Sequence, residues 1–138
     1  MHGMTSSPNR ALAAVFGAVY LLVGLVGFAI TPGVGFAATE GKDLIVFEVN
    51  PLHNIVHVAI GLALVLASRT VRSARAVNTT IGAVYLLVGV VGLFLIGSSA
   101  NIIALNGADN VLHLASAVLL LAVGLAADRE YDPERLPA

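Results

Sequence analysis

The chain has 138 residues, 58% of them apolar and 11% charged, with seven basic and eight acidic side chains and no cysteine. Soluble domains carry about a quarter charged residues, so a water-soluble fold is excluded. Disulfides, thiolate metal sites and thiol chemistry are excluded as well, and a near-neutral charge without an extended basic patch argues against a nucleic-acid partner.

In chain order, four long apolar stretches cover residues 12–30, 52–67, 81–96 and 111–126. A bilayer core about 30 Å thick needs ~17–25 helical residues to cross it. The second stretch reaches that length when its start at Pro51 is counted, and the fourth when residues 107–110 are included. The pattern predicts an all-α, integral membrane four-helix bundle. The first stretch exceeds the ~7–15 apolar residues of a cleaved signal peptide, and its sequence returns in mid-chain, so it is expected to be retained. The expected organisation is a cytoplasmic N-terminal tail over 1–10, a four-span domain over 11–127 and a cytoplasmic acidic tail over 128–138.

Arg10, Arg69, Arg72, Arg75, Arg129 and Arg135 fall on one side of the spans and Lys42 alone on the other. The positive-inside rule makes the arginine side cytoplasmic. Both termini are then inside, and the segments 31–49 and 97–105 face outward. The arginines of 69–75 are placed to meet anionic lipid headgroups, although topology alone accounts for them.

One hairpin is written twice. Residues 17–28 read GAVYLLVGLVGF and residues 82–93 read GAVYLLVGVVGL, identical at ten of twelve positions. Residues 50–57 (NPLHNIVH) and 106–113 (NGADNVLH) share the frame Asn-x-x-[His/Asp]-Asn-x-x-His. Repeat one (11–69) and repeat two (76–127) each begin and end on the same side, so they are like-oriented and related by a pseudo-two-fold axis along the membrane normal. The offset between halves is 65 residues for the first helices and 56 for the second, and the difference lies in the segment 31–49. That segment is expected either to cap the bundle or to recognise a partner.

In span one Gly17, Gly24 and Gly27 recur at helical steps with Ala13 and Tyr20, and span three repeats the stripe with Gly82, Gly89, Gly92 and Tyr85. Small residues on one stripe let membrane helices approach closely, so these glycines are read as packing positions. Gly24 and Gly89 lie near the depth of the two later histidines and are expected to leave room for imidazole rings. Tyr20 and Tyr85, near mid-span, each need a hydrogen-bond partner.

Asn50 and Asn106 are natural helix N-caps, and Pro51 suits a first helical position. His53 and Asp109 stand three residues on, where a side chain can reach back to the cap, and Asp109 also gains from the positive helix end. His57 and His113 lie seven residues beyond the caps, roughly 10 Å below the outer helix ends. Asn54 and Asn110 are one turn above them on the same side. Polar groups at this depth face the bundle interior, so the two stripes are expected to meet.

Three readings of this cluster compete. The first is interhelical hydrogen bonding that sets the register of spans two and four, worth ~0.6 kcal/mol per contact. The second is a haem or divalent transition-metal site at His57 and His113, with His53 and Asp109 as further candidate ligands; His53 and His57 are spaced i,i+4, which suits one ion. The third is a proton- or quinone-linked site, from the near-neutral pKa of histidine. The first is preferred because it requires nothing the sequence lacks, and no cofactor is expected.

Enzyme templates fail. HNIVH has the two-histidine spacing of a zinc protease helix but carries Asn54 where the catalytic Glu belongs. No G-x-S-x-G, glycine-rich phosphate loop or carboxylate pair at a shared depth is present. Asn78-Thr79-Thr80 matches a glycosylation sequon on the expected cytoplasmic side, where it has no use.

The GAVYLLVGLVGF opening, PLHNIVHVAIGLALVLASR and N-x-A-D-N-x-L-H together resemble domain-of-unknown-function family 4383, small four-span membrane proteins found chiefly in actinobacteria. The resemblance covers residues 11–127 and implies a bacterial plasma-membrane protein; His57, Asn54, Asp109, Asn110 and His113 match its polar motif positions. The family has no settled activity to carry over. The expected function is a non-enzymatic structural or accessory membrane protein, in contact with lipids and disposed to form a homo-oligomer or join a larger complex. The alternatives are a cofactor- or metal-binding redox or sensing protein centred on His57 and His113, and a small transporter.

Overall fold

The computed structural model describes residues 7–130. Four helices form, α1 (Pro8–Ile30), α2 (Pro51–Ala67), α3 (Val71–Leu95) and α4 (Gly107–Ala126), with a two-stranded antiparallel hairpin, β1 (Lys42–Leu44) and β2 (Phe47–Val49), between α1 and α2. Each helix starts where a short polar side chain takes an otherwise orphaned N–H. The caps are Ser7, Asn50, Thr70 and Asn106, each accepting from the residue three positions on. Pro8 and Pro51 occupy first-turn positions, where no helical N–H is lost.

The chain is an all-α membrane bundle of two like-oriented hairpins, α1 with α2 and α3 with α4, and packing is most extensive within each hairpin. Three helices, α1, α3 and α4, are long and apolar enough to cross a membrane. The remaining one, α2, has 17 residues and sits at the lower limit of ~17–25 for a span. Outward faces carry Val15, Leu22, Leu87, Phe94, Val111 and Val118, all exposed. Apolar surface of this extent is stable against lipid rather than water. The core joins both hairpins through Ala13, Tyr20, Leu64, Ala74, Ile81, Tyr85, Ala117 and Leu120.

Glycines set the closeness of each hairpin. A Cβ on Gly61 would stand 2.5 Å from the Leu21 nitrogen, and one on Gly17 would stand 2.7 Å from the Val65 nitrogen. Only backbone against backbone fits there, and such approach supplies the van der Waals contact that holds helices together in lipid. In the second hairpin Gly82 meets the Leu121 backbone and Gly89 the Leu114 side chain.

Three features depart from the sequence expectation. The outer segment 31–49 contains the β-hairpin, with Lys42 opposite Val49 and Leu44 opposite Phe47; its turn places Ile45 at φ 61, with its side chain exposed. Arg72 and Arg75 belong to α3 rather than to a loop, because the Thr70 cap starts the helix there and leaves only residues 68–70 as connection. The third departure concerns the start of the acidic tail. Asp128 is bound at the terminal end of the bundle, where its Oδ2 accepts from the Ser7 hydroxyl (3.0 Å), the Asn9 N–H (3.0 Å) and Asn9 Nδ2 (2.8 Å). Residues 1–6 and 131–138, including Arg135 and most of that tail, lie outside the described residues.

Candidate functional site

Two buried polar clusters occupy opposite ends of the bundle. The first, at the terminal end, had no clear signal in the sequence. Asn78 Nδ2 donates to the Asn9 carbonyl and to Asn9 Oδ1, each at 3.0 Å. Asn9 Nδ2 also reaches the Val123 carbonyl at 3.1 Å, and Arg10 Nε donates to the Ser68 carbonyl at 2.8 Å. Burial pushes the Asp128 carboxyl up, but hydrogen bonds from Asn9 and Ser7 and the Arg75 guanidinium outweigh it and hold it below the usual carboxylate range. Asn78 is fully buried, so the sequon it heads presents no acceptor side chain. The one clue was Asn78 itself at the start of the apolar part of α3, a residue that needs partners wherever it is buried.

The loop end is built from the repeated frame. Asn50 caps α2: its Oδ1 accepts the His53 N–H at 2.8 Å, and its Nδ2 donates to the carbonyls of Ala38 (2.9 Å) and Ile102 (2.7 Å). Asn106 caps α4 in a reciprocal capping box, with the Asp109 N–H on Asn106 Oδ1 and the Asn106 N–H on Asp109 Oδ2, both at 2.9 Å. The same Asp109 oxygen accepts the Glu48 N–H of β2 at 3.2 Å. Asp109 is therefore committed to holding a helix end and the β-hairpin. His53, its counterpart in the first repeat, does not reach back to its cap. Its ring turns inward.

That turn brings three imidazoles together. His53, His57 and His113 are 1%, 3% and 2% exposed. Ring centroids stand 4.3 Å apart for His53–His57, 5.7 Å for His53–His113 and 6.1 Å for His57–His113. One ring nitrogen from each lies within 4.8 Å of the others. Among the described residues, none of the six ring nitrogens has a hydrogen-bond partner.

The surrounding shell fixes the rings. The Tyr85 ring stacks on His113 (5.0 Å, 18°), the Tyr20 ring meets His57 edge-on (5.2 Å, 65°), and the two tyrosine rings are 5.3 Å apart. Tyr20 finds a partner in Ser116 at 2.8 Å, whereas the Tyr85 hydroxyl has none among the described residues. Asn54 and Asn110 press their amides against the α-carbons of Gly27 and Gly92, where a Cβ would overlap them. Asn54 Nδ2 donates to Thr31 at 3.2 Å, but both Asn110 amide atoms are unpartnered among the described residues. Within the two repeated glycine stripes, the positions facing polar side chains are thus Gly27 and Gly92. Gly24 and Gly89 instead abut Val58 and Leu114, so the atoms nearest those two glycines do not belong to the imidazoles they were expected to accommodate.

One cavity of about 320 Å³ lies between α1 and α4, lined by Phe16, Tyr20, Leu112 and Ser116 among others, and another of about 400 Å³ lies at the outer surface, lined by Glu40, Glu48, Asn101 and Asn106 among others. Neither is lined by a histidine.

The fold and this interior define a helical membrane protein with a buried histidine cluster. The chain belongs to the family described as domain of unknown function (DUF4383), whose model matches residues 10–126. No curated protein and no solved structure gives a significant match.

Proposed function

We propose that this is a non-enzymatic accessory protein of a bacterial plasma membrane, with both termini cytoplasmic, whose working part is a buried ligand site (the chamber) formed by His53, His57 and His113. One observation carries the reading. Three buried imidazoles converge, and none makes a well-formed ring hydrogen bond to the described residues; only the His53 ring has backbone, at Ile103 and Glu48, within weak reach. Had they served as interhelical glue, their nitrogens would be paired with neighbouring helices, since an unmet buried polar group costs about 1–3 kcal/mol. A cluster that leaves its His57 and His113 ring nitrogens free is built for a polar species from outside the chain.

The orientation rests on the arginine bias, and the chamber then lies beneath the external face. The apolar layer of Leu64, Ile81 and Leu120 lies along the helices between the histidines and the Asn9–Asn78 cluster. That layer supports a holding chamber over a through-path for transport. The exposed apolar faces leave room for lipid, for a second copy or for a larger assembly. Native mass spectrometry after mild extraction tests the proposal. The wild type is expected to carry a bound species that a His57→Leu/His113→Leu variant has lost. A bare wild-type mass, or a bound species indifferent to the substitutions, would sink it.

A further inference from the structure

Within the ligand-chamber reading, on which this step rests, we infer that the occupant is a divalent first-row transition cation of the Zn2+ type, held by His53, His57 and His113 with a fourth position open. His53 and His57 are one helical turn apart on α2, and neighbours at i,i+4 share a face. His113 comes from α4, so the site is stapled across the two hairpins. Zn–N bonds of about 2.0–2.1 Å place tetrahedral donor nitrogens about 3.4 Å apart. The imidazole donors already lie within 4.8 Å of one another, and modest rotation of the rings closes the difference.

The donor set selects the ion. Neutral imidazoles suit zinc, copper, nickel and iron, whereas calcium and magnesium require oxygen ligands. The carboxylate nearest in sequence, Asp109, is engaged with the Asn106 and Glu48 N–H groups. It is one turn from His113 on the same helix but outside the three-histidine group, so it is not a ligand. A small ion is required: the His53 ring lies 4.3 Å from His57 and 5.7 Å from His113, in the space that a haem between the latter two would need. The open position has its origin in the duplication. Repeat two carries Asp109 where repeat one carries His53, and the turned-away carboxylate leaves three ligands instead of four. Stacking of Tyr85 on His113 and the edge contact of Tyr20 with His57 orient the rings from below, the part that outer-shell groups take in metal sites.

The test uses the full chain in mild detergent, stripped by a chelator and titrated with Co2+ as a coloured stand-in for Zn2+. One Co2+ per chain is expected, with visible d–d absorption that Zn2+ abolishes by competition. His57→Ala and His113→Ala are expected to weaken binding by at least about 100-fold, the upper end of what losing an outer-shell partner costs. His57→Gln and His113→Gln, checked for helical circular dichroism, keep the result interpretable if an alanine variant fails to fold. A folded wild type that takes up neither Co2+ nor Zn2+, or binding that persists in the glutamine variants, overturns the inference. Failure of the cation is separable from failure of the chamber. If native mass spectrometry finds a non-metal species lost with the histidines while Co2+ does not bind, only the cation falls; if it finds nothing, both fall.

Discussion

At the end that carries the termini, Asn9 of α1, Asn78 of α3 and Asp128 just beyond α4 are joined by hydrogen bonds of 2.8–3.0 Å. At the loop end, His53, His57 and His113 crowd together with ring nitrogens that make no well-formed hydrogen bond among the described residues, and the Asn110 amide is likewise unpartnered. Asn9 and Asn78 are as buried as the histidines, but in the terminal cluster Asn78 Oδ1 is the exception among paired side-chain atoms, whereas at the loop end unpaired atoms prevail among the described residues. A satisfied buried network rigidifies the structure around it, while an unsatisfied one carries its full desolvation cost. The terminal cluster is therefore a latch and the histidine cluster a receptor, and substitutions at the two should differ in sign.

The largest effect is expected at the latch. Asn9→Ala removes the donor to Asp128 and two backbone carbonyls and one acceptor of Asn78, and should destabilise the protein by about 2–3 kcal/mol, read as a lowered unfolding midpoint in detergent. Because the folded Asp128 pKa is depressed, its contribution is complete above the unfolded carboxylate pKa and disappears as pH falls through the folded value. Stability should thus be insensitive to this group at neutral pH and decline only in strong acid. An Asp128→Asn variant should lack that acid-side decline, as a pH series of unfolding midpoints would show.

Asp109→Ala comes next. It deletes one half of a capping box and an acceptor for β2, at a cost of about 1 kcal/mol, the usual value of a cap. Hydrogen exchange at the Asn106 and Glu48 amides should rise. Slow exchange retained at both would mean that Asp109 holds neither element.

The smallest shift, and the sharpest contrast, belongs to the histidines. In chelator-treated protein, His57→Leu/His113→Leu should be neutral or stabilising by up to about 1 kcal/mol, since exchanging unmet polar groups for apolar ones of similar shape carries little penalty. In protein kept with its occupant, the same substitutions should lower stability, because a ligand bound only by the native state adds to it. Equal effects in both preparations would erase the distinction between latch and receptor.

Much of this architecture was legible before any coordinates. Apolar runs of span length, the repeated GAVYLLVG segment and the Asn-x-x-[His/Asp]-Asn-x-x-His frame are local or periodic signals. They specify helices, their caps and their pairing through strong short-range preferences. The prediction that Asn50 and Asn106 cap α2 and α4 followed from that chemistry alone. The latch did not, because Asn9, Asn78 and Asp128 lie 69 and 119 positions apart, and no periodicity links them.

Tertiary packing also separated two residues that the alignment of the repeats treated as equivalents. His53 and Asp109 occupy the same frame position, yet one ring enters the core and one carboxylate closes a helix end. A carboxylate is held where N–H groups converge at a helix start, and an imidazole has no comparable attraction to that place. Sequence alone determined the helices, the duplication and the depth of the polar stripes, since these depend on hydropathy and on spacing along one helix. Which of those polar groups found partners, and which three were brought face to face without any, depended on how two hairpins crossed; that distance in space has no trace in the order of residues.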